Sequence, residues 1–119
     1  MFLFKPHTVE DVVIADFIVP ALSEGPELEH TYERLSRMIG PTQAKSLIIN
    51  LAGVQFISSS ALSLLIRLMH VVDSHGGQFI ICGLRKQVHQ VFKLSGLDRS
   101  LTLHKTRDEA LTATGVMAQ

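Results

Sequence analysis

Three consecutive serines, Ser58, Ser59 and Ser60, are the residues of this sequence whose type and spacing suggest chemistry. The long apolar segment that follows them ends at Gly76-Gly77 and predicts a helix with the serines at its N-terminus. A hydroxyl there can accept a hydrogen bond from an unpaired backbone N–H group, and such a cap contributes about 1 kcal/mol to stability. The same N–H groups and the positive end of the helix dipole also accommodate a phosphate. The serines are therefore either caps or a phosphorylation site.

A phosphate at this helix start is expected to change the surface more than the fold. It would add a charge of about −1.5 to −2. A partner complementary to a neutral hydroxyl would then have to bury anionic oxygens, and desolvation together with repulsion would oppose binding. Phosphorylation would therefore act as a local electrostatic switch that ends an association.

The helix after the serines is more apolar than contact with one sheet requires. Its polar residues form a narrow stripe at spacings of three and four, made of Ser60, Ser63, Arg67, His70 and Ser74. Two interpretations remain open for the apolar excess. Either a neighbouring helix covers it, Glu27–Ile39 or Arg85–Leu94, or it is an exposed patch for a partner or a second copy.

The elements around this helix predict an α/β fold, with a four- to five-stranded, mostly parallel (mixed) sheet and about four helices packed on it. The predicted order is β-β-α-β-α-β-α-β-α. Strands are predicted at Met1–Phe4, Val12–Val19, Ser46–Leu51, Gln78–Cys82 and Leu101–Leu103. Besides the serine-led helix, helices are predicted at Glu27–Ile39, with a start at Pro26, at Arg85–Leu94 and at Arg107–Thr114. The polar residues Lys5, Pro6 and His7 are interpreted as the turn of the first hairpin, and the segments ALSEGP and AGVQF as loops.

The amino-acid composition excludes several classes of function for this chain. The 119 residues, 46% of them apolar, suffice for one domain over residues 1–119. Eleven Lys plus Arg balance eleven Asp plus Glu, which argues against a nucleic-acid partner. The single cysteine, Cys82, lies in a strand pattern and is interpreted as a core residue. We expect a cytoplasmic protein without a membrane segment, because no secretory signal and no long apolar run are present.

Other chemistry has little support in the sequence. The six histidines match no common zinc spacing, and neither a Gly-x-Ser-x-Gly elbow nor a glycine-rich phosphate loop occurs. We therefore predict no catalytic residue, no metal and no cofactor. Arg85, Lys86 and Lys93 form a modest basic face, which is either solvated or meets an acidic rim on a partner.

The segment from Lys45 to Ala113 resembles the STAS family, the domain of bacterial anti-sigma factor antagonists. The resemblance covers about 70 residues and is carried by SLIINLAGVQFI, the serine-rich helix start, HGGQFIICGL, VHQVFKLSGLDRSL and TRDEAL. The N-terminal 40 residues fit the family only by the order of their elements.

The resemblance implies partner switching. An unmodified antagonist of this family binds an anti-sigma factor that is also a serine kinase, phosphorylation of a serine at the start of the central helix breaks the complex, and a serine phosphatase restores it. The family motif is Asp-Ser-Ser/Thr-Gly, and the aligned residues here are Ser58-Ser59-Ser60-Ala61. Ser59 therefore occupies the acceptor position and Ser60 is the second choice, while Ser58 and Ala61 replace the usual Asp and Gly.

A partner-binding surface follows from the same resemblance. Its predicted residues are Ser23, Glu24, Glu27, Ser58, Ser59, Ser60 and two exposed aliphatics, Leu62 and Ile66. Asn50 is predicted to support it, either by hydrogen-bonding the loop before the helix or as a turn residue bonding its own backbone.

Two alternatives stay open. The chain could be an unphosphorylated STAS scaffold or sensor subunit that forms a homodimer or assembles with other STAS domains. It could also be a phosphate- or nucleotide-binding domain.

Overall fold

The computed structural model describes residues 3–116. Its strands are β1 (Phe4–Val9), β2 (Val12–Phe17), β3 (Ala21–Leu22), β4 (Ser46–Asn50), β5 (Phe56–Ile57), β6 (Phe79–Cys82) and β7 (Thr102–His104). Its helices are α1 (Pro26–Arg37), α2 (Ser59–Ser74), α3 (Lys86–Leu94) and α4 (Arg107–Ala113), with a single 3-10 turn at Leu97–Arg99. None of these helices is long and apolar enough to cross a membrane.

The main sheet has five strands in the order β1-β2-β4-β6-β7. β1 and β2 are antiparallel, whereas β2, β4, β6 and β7 run parallel to one another. The α/β class and the mixed, mostly parallel sheet predicted from the sequence are confirmed. Because the parallel strands point the same way, β2, β4 and β6 end at one edge, which we call the carboxyl edge of the sheet.

Both faces of the sheet are covered, which explains the continuous apolar strands. Leu47 and Ile49 of β4 point into a large core that α1, α2 and α3 share. Ile48, between them, points into a smaller core with Ala110 of α4. Successive side chains of a strand alternate between faces, so a strand buried on both sides needs an apolar residue at every position.

Two predictions at the first hairpin were wrong, namely the end of the first strand and the position of the turn. Lys5, Pro6 and His7 lie inside β1, and the turn falls at Glu10-Asp11, where Glu10 adopts a left-handed φ of 52°. β1 is an edge strand, where a proline nitrogen without a proton can face the open side and polar side chains reach solvent. Met1 and Phe2 of the predicted first strand lie outside the described residues. Every other predicted element agrees with the structure to within two residues.

A second, two-stranded sheet was not predicted from the sequence. β3 and β5 pair in parallel, with Ala21 opposite Phe56 and Leu22 opposite Ile57. All of these residues except Ile57 lie in the segments ALSEGP and AGVQF, which were interpreted as loops. Strands of two residues are too short to show an alternating pattern. The pairing matters for the site because β5 is followed directly by the serines.

Helix α1 lies alongside α2 and covers most of its apolar excess, which confirms the first of the two interpretations of that face. The Arg67 guanidinium donates two 3.0 Å hydrogen bonds to the Glu29 carboxylate and stacks 3.9 Å from the centre of the Tyr32 ring. The hydrogen bonds from Arg67 lower the pKa of Glu29. This contact fixes the two helices beside each other near the start of α1.

Candidate functional site

Ser58 is the cap of α2. Its backbone is extended, with φ −85° and ψ 166°, and its Oγ accepts a 3.1 Å hydrogen bond from the Ala61 N–H group. The Ser58 N–H group in turn donates to the Leu22 carbonyl at 2.9 Å, which ties the cap to β3. The capping function that the sequence left open for the serines is thus performed by Ser58.

Ser59 and Ser60 differ from the cap and from each other. Ser59 is the first residue of α2 and is exposed, and its hydroxyl has no hydrogen-bond partner among residues 3–116. Ser60 is also exposed, but its Oγ donates to Glu24 Oε1 at 3.3 Å. The structure therefore presents one unengaged hydroxyl at the positive end of the helix dipole.

The loop between β3 and α1 lies beside the serines. Ser23, Glu24 and Glu27 are exposed on it or on the first turn of α1. A shallow groove runs from this loop along α2, and its lining includes Glu24, Gly25, Ser60, Ser63 and Arg67. The structure thus brings the predicted loop residues and the predicted serines to one surface.

The expectation that Leu62 is exposed was wrong. Its side chain is only 8% exposed and belongs to the large core, because α1 packs on this side of α2. Ile66 is half-buried. Among the described residues, the large apolar side chain that stands exposed near the serines is instead Phe56 (57%), which was not singled out from the sequence. Both residues of β5 are apolar, so no pattern in the sequence marked Phe56 as the exposed one.

Asn50 connects the sheet to the loop that leads to the serines. Its Oδ1 accepts a 3.1 Å hydrogen bond from the Ala52 N–H group, which is the backbone turn expected of an Asn after a strand. Its Nδ2 donates to Asp16 Oδ1 at 2.8 Å. Gly83 passes so close that a Cβ there would lie 2.7 Å from Asn50 Oδ1, and its φ of 75° also favours glycine.

Asp16 is the centre of a polar cluster that the sequence analysis did not predict. Besides the bond from Asn50, it accepts a 3.1 Å hydrogen bond from Arg107 Nε, and His7 Nε2 lies 3.2 Å from its second oxygen. These contacts join β1, β2, β4 and the start of α4 at the carboxyl edge. An aspartate near the end of an otherwise apolar strand was the available signal.

We expect Asp16→Ala to lower the free energy of unfolding by about 2 kcal/mol, because hydrogen bonds to a charged group are lost on partly buried partners. Urea denaturation followed by circular dichroism measures the change. Asp73→Ala is the matched control, since Asp73 is exposed on α2 and should change stability by less than about 0.5 kcal/mol. Equal effects of the two variants would contradict the importance of the cluster.

Cys82 is fully buried in β6, which confirms its interpretation as a core residue. Burial, with a smaller contribution from the Asp16 carboxylate, raises the pKa of its thiol from 9.0 to about 11. The folded protein therefore favours the protonated thiol over the thiolate. The contribution of this preference to the free energy of unfolding is fully present below pH 9 and is lost as the pH rises toward 11.

The raised pKa and the burial of Cys82 predict slow reaction with a chromogenic disulfide reagent at pH 8. The thiolate is the nucleophile, so we expect the native protein to react at least about 100-fold more slowly than the same protein in urea. Equal rates in the two conditions would show that the thiol is accessible.

No three His, Cys, Asp or Glu side chains in the part of the chain that the structure describes come together as a metal site requires. What this edge presents is a free hydroxyl, a neighbouring carboxylate and exposed apolar side chains, an arrangement suited to docking and covalent modification.

Comparisons with known proteins show which family this chain matches. A family model described as the STAS domain matches residues 27–110. The anti-sigma F factor antagonist of Paenibacillus polymyxa is 26% identical over 97 residues, which cover 77% of this chain and 83% of that protein.

Solved structures resemble the whole fold. An anti-sigma factor antagonist (STAS) domain protein from Planctomyces limnophilus is 24% identical, with a TM-score of 0.82 over 96% of this chain and 98% of that one. The anti-sigma factor antagonist SpoIIAA in its unphosphorylated form is 20% identical, with a TM-score of 0.79 over 97% and 99% of the two chains. The phosphorylated form of SpoIIAA, the Bacillus cell fate determinant, is also similar, with 21% identity and a TM-score of 0.72 over 92% and 97%.

Proposed function

This chain belongs to the STAS domain family, and from that membership we propose that it is a regulatory, non-enzymatic protein of the anti-sigma factor antagonist type. Its partner in this proposal is an anti-sigma factor that is also a serine kinase. The observation that carries the proposal is the exposed Ser59 hydroxyl at the start of α2, free of hydrogen bonds within residues 3–116.

The unmodified chain binds the anti-sigma factor and thereby frees a sigma factor. The docking surface contains Ser59 and Ser60 together with the exposed loop residues Ser23, Glu24 and Glu27. The kinase then transfers the γ-phosphoryl group of ATP to Ser59 Oγ, which loses its proton, and ADP leaves. A serine phosphatase hydrolyses the phosphoserine and restores binding.

The environments of the three serines favour Ser59 as the acceptor. Ser58 is half-buried and its oxygen caps the helix. A phosphate on Ser60 would replace the hydroxyl that donates to Glu24 and would face that carboxylate. A phosphate on Ser59 meets the free N–H groups of the first helical turn instead.

The two departures from the family motif are compatible with this function. Ser58 takes over the capping that an aspartate can perform. Ala61 is only 1% exposed, so its methyl group is turned into the core and does not obstruct a kinase approaching Ser59.

Intact-mass measurement tests the acceptor. The chain is incubated with ATP and each kinase-type anti-sigma factor encoded in the same genome, and we expect a gain of one phosphate. The gain disappears in Ser59→Ala and persists in the matched control Ser60→Ala. Phosphorylation that survives in Ser59→Ala and is lost in Ser60→Ala would reverse the assignment.

The replacement of the motif's Asp and Gly by Ser58 and Ala61 favours one competing function, an unphosphorylated STAS scaffold that assembles with itself or with sister domains. No mass gain together with tight co-purification with other STAS domains would select this function. A nucleotide found in the purified protein would select a phosphate-binding domain instead.

A further inference from the structure

The large apolar side chains that stand exposed in the described part of the chain are Ile18, Phe56 and Leu94. Two of them, Ile18 and Phe56, lie at the end of the molecule that carries the serines. Phe56 precedes Ser59 by three residues, which places the two within about 10 Å of each other along the chain. A half-exposed phenylalanine is costly to leave in water, so its position beside the proposed switch calls for an explanation.

The outward direction of Phe56 is fixed by the backbone around it. Its N–H group donates to the Pro20 carbonyl at 3.1 Å, and the Ser58 N–H group donates to the Leu22 carbonyl at 2.9 Å. Between them Ile57 is only 3% exposed and is anchored in the core. Neighbouring side chains of a strand point to opposite sides, so the Phe56 ring is held on the surface. A rigidly held aromatic side chain loses little conformational entropy when a partner covers it.

The chain before β3 packs against β5, because the Pro20 carbonyl accepts hydrogen bonds from the N–H groups of both Gln55 and Phe56. Ile18, two residues earlier, donates its N–H group to the Leu3 carbonyl at 2.9 Å, beside β1.

Two basic residues lie on the α3 side of β5. Helix α3 packs against β5, and Arg85 and Lys86 stand exposed at its start. The Arg85 Nε group donates to the Ala52 carbonyl at 2.9 Å, which holds this side chain against the loop before β5. The surface therefore combines an aromatic side chain with positive charge on the α3 side, whereas the exposed carboxylates of Glu24 and Glu27 lie on the α1 side.

We propose that Phe56 is the apolar anchor on which the anti-sigma kinase docks, its ring entering an apolar pocket whose acidic rim meets Arg85 and Lys86. This inference rests on the proposed function and deepens it, because it names the partner's recognition chemistry. Aromatic side chains at the centre of an interface are the ones that most often dominate affinity.

The anchor is tested by measuring the dissociation constants of the wild-type and variant chains for the anti-sigma kinase that binds the wild-type chain. We expect Phe56→Ala to weaken binding at least about 30-fold. The matched control is Leu94→Ala, because Leu94 is 85% exposed but ends α3, about 13 Å from its start along the helix axis. We expect that control to stay within about threefold of wild type.

Lys86→Glu should slow association with the anti-sigma kinase and reduce the dependence of the association rate on salt.

Three results would overturn the inference. The first is binding of Phe56→Ala within about threefold of wild type, and the second is an equal loss of affinity in Phe56→Ala and Leu94→Ala. The third is a wild-type dimer, seen by native mass spectrometry, that dissociates in Phe56→Ala, because a second copy of the chain would then be the occupant. A urea midpoint equal to that of wild type shows that Phe56→Ala is folded. If the wild-type chain binds no anti-sigma factor, the proposed function fails; if it binds and Phe56→Ala binds as well, only the anchor fails.

Discussion

Ser59→Glu is expected to weaken binding to the anti-sigma factor at least about 30-fold, whereas Ser59→Ala stays within about threefold of wild type. The Ser59 hydroxyl is exposed and makes no hydrogen bond within residues 3–116, so neither change disturbs the fold. A carboxylate placed in the interface has to lose its hydration without a cationic partner, which costs about 2–5 kcal/mol. Alanine removes only a small polar group. Isothermal titration calorimetry with the purified anti-sigma factor measures both affinities.

A charge-matched control separates this local effect from a change in net charge. Ser100 is exposed and precedes β7, at the sheet edge opposite to the carboxyl edge. Ser100→Glu adds the same charge, and we expect it to bind like wild type. Equal loss in Ser59→Glu and Ser100→Glu would attribute the effect to long-range repulsion, and unchanged binding of Ser59→Glu would remove Ser59 from the interface.

The second large effect is expected at Gly77, where any side chain would collide with the backbone. A Cβ atom at this position overlaps the Lys45 carbonyl, and a carbonyl group cannot rotate away as a flexible side chain can. The strands on both sides are fixed, because the Leu47 N–H group donates to the Gln78 carbonyl at 3.0 Å and the Gln78 N–H group donates to Ser46 Oγ at 2.9 Å. We expect Gly77→Ala to lower the free energy of unfolding by about 3 kcal/mol.

Gly40→Ala is the matched control for this change. A Cβ at Gly40 has no other heavy atom within 4 Å, so the substitution should change stability by less than about 1 kcal/mol. Urea denaturation of both variants measures the difference. Similar midpoints for the two would show that the β4–β6 register adapts to a side chain at Gly77.

The long, strongly patterned elements could be predicted from the sequence. Strand β4 is continuously apolar because helices cover both of its faces, and α2 combines an apolar surface with a serine cap. The hairpin turn was misplaced because Pro6 and its polar neighbours are typical of turns, yet an edge strand tolerates them. The β3–β5 pair escaped notice because two-residue strands have no period, although this pair brings Glu24 to the serines.

The site was only partly predictable. The serines showed where chemistry could occur, but their different functions depend on hydrogen bonds across the chain, such as that from Ser60 to Glu24. The burial of Leu62 depends on where α1 packs, and the Asp16 cluster joins residues as far apart as Asp16 and Arg107. Such long-range contacts leave no local pattern in the sequence.

Release of the sigma factor tests partner switching most directly. A fluorescently labelled sigma factor is held in complex with the anti-sigma kinase, and its anisotropy is followed as this chain is added. The unphosphorylated chain should release the sigma factor, so that the anisotropy falls to the value of free sigma, while the chain phosphorylated on Ser59 should leave the complex intact. Equal release by the two forms, or release by neither, would contradict partner switching.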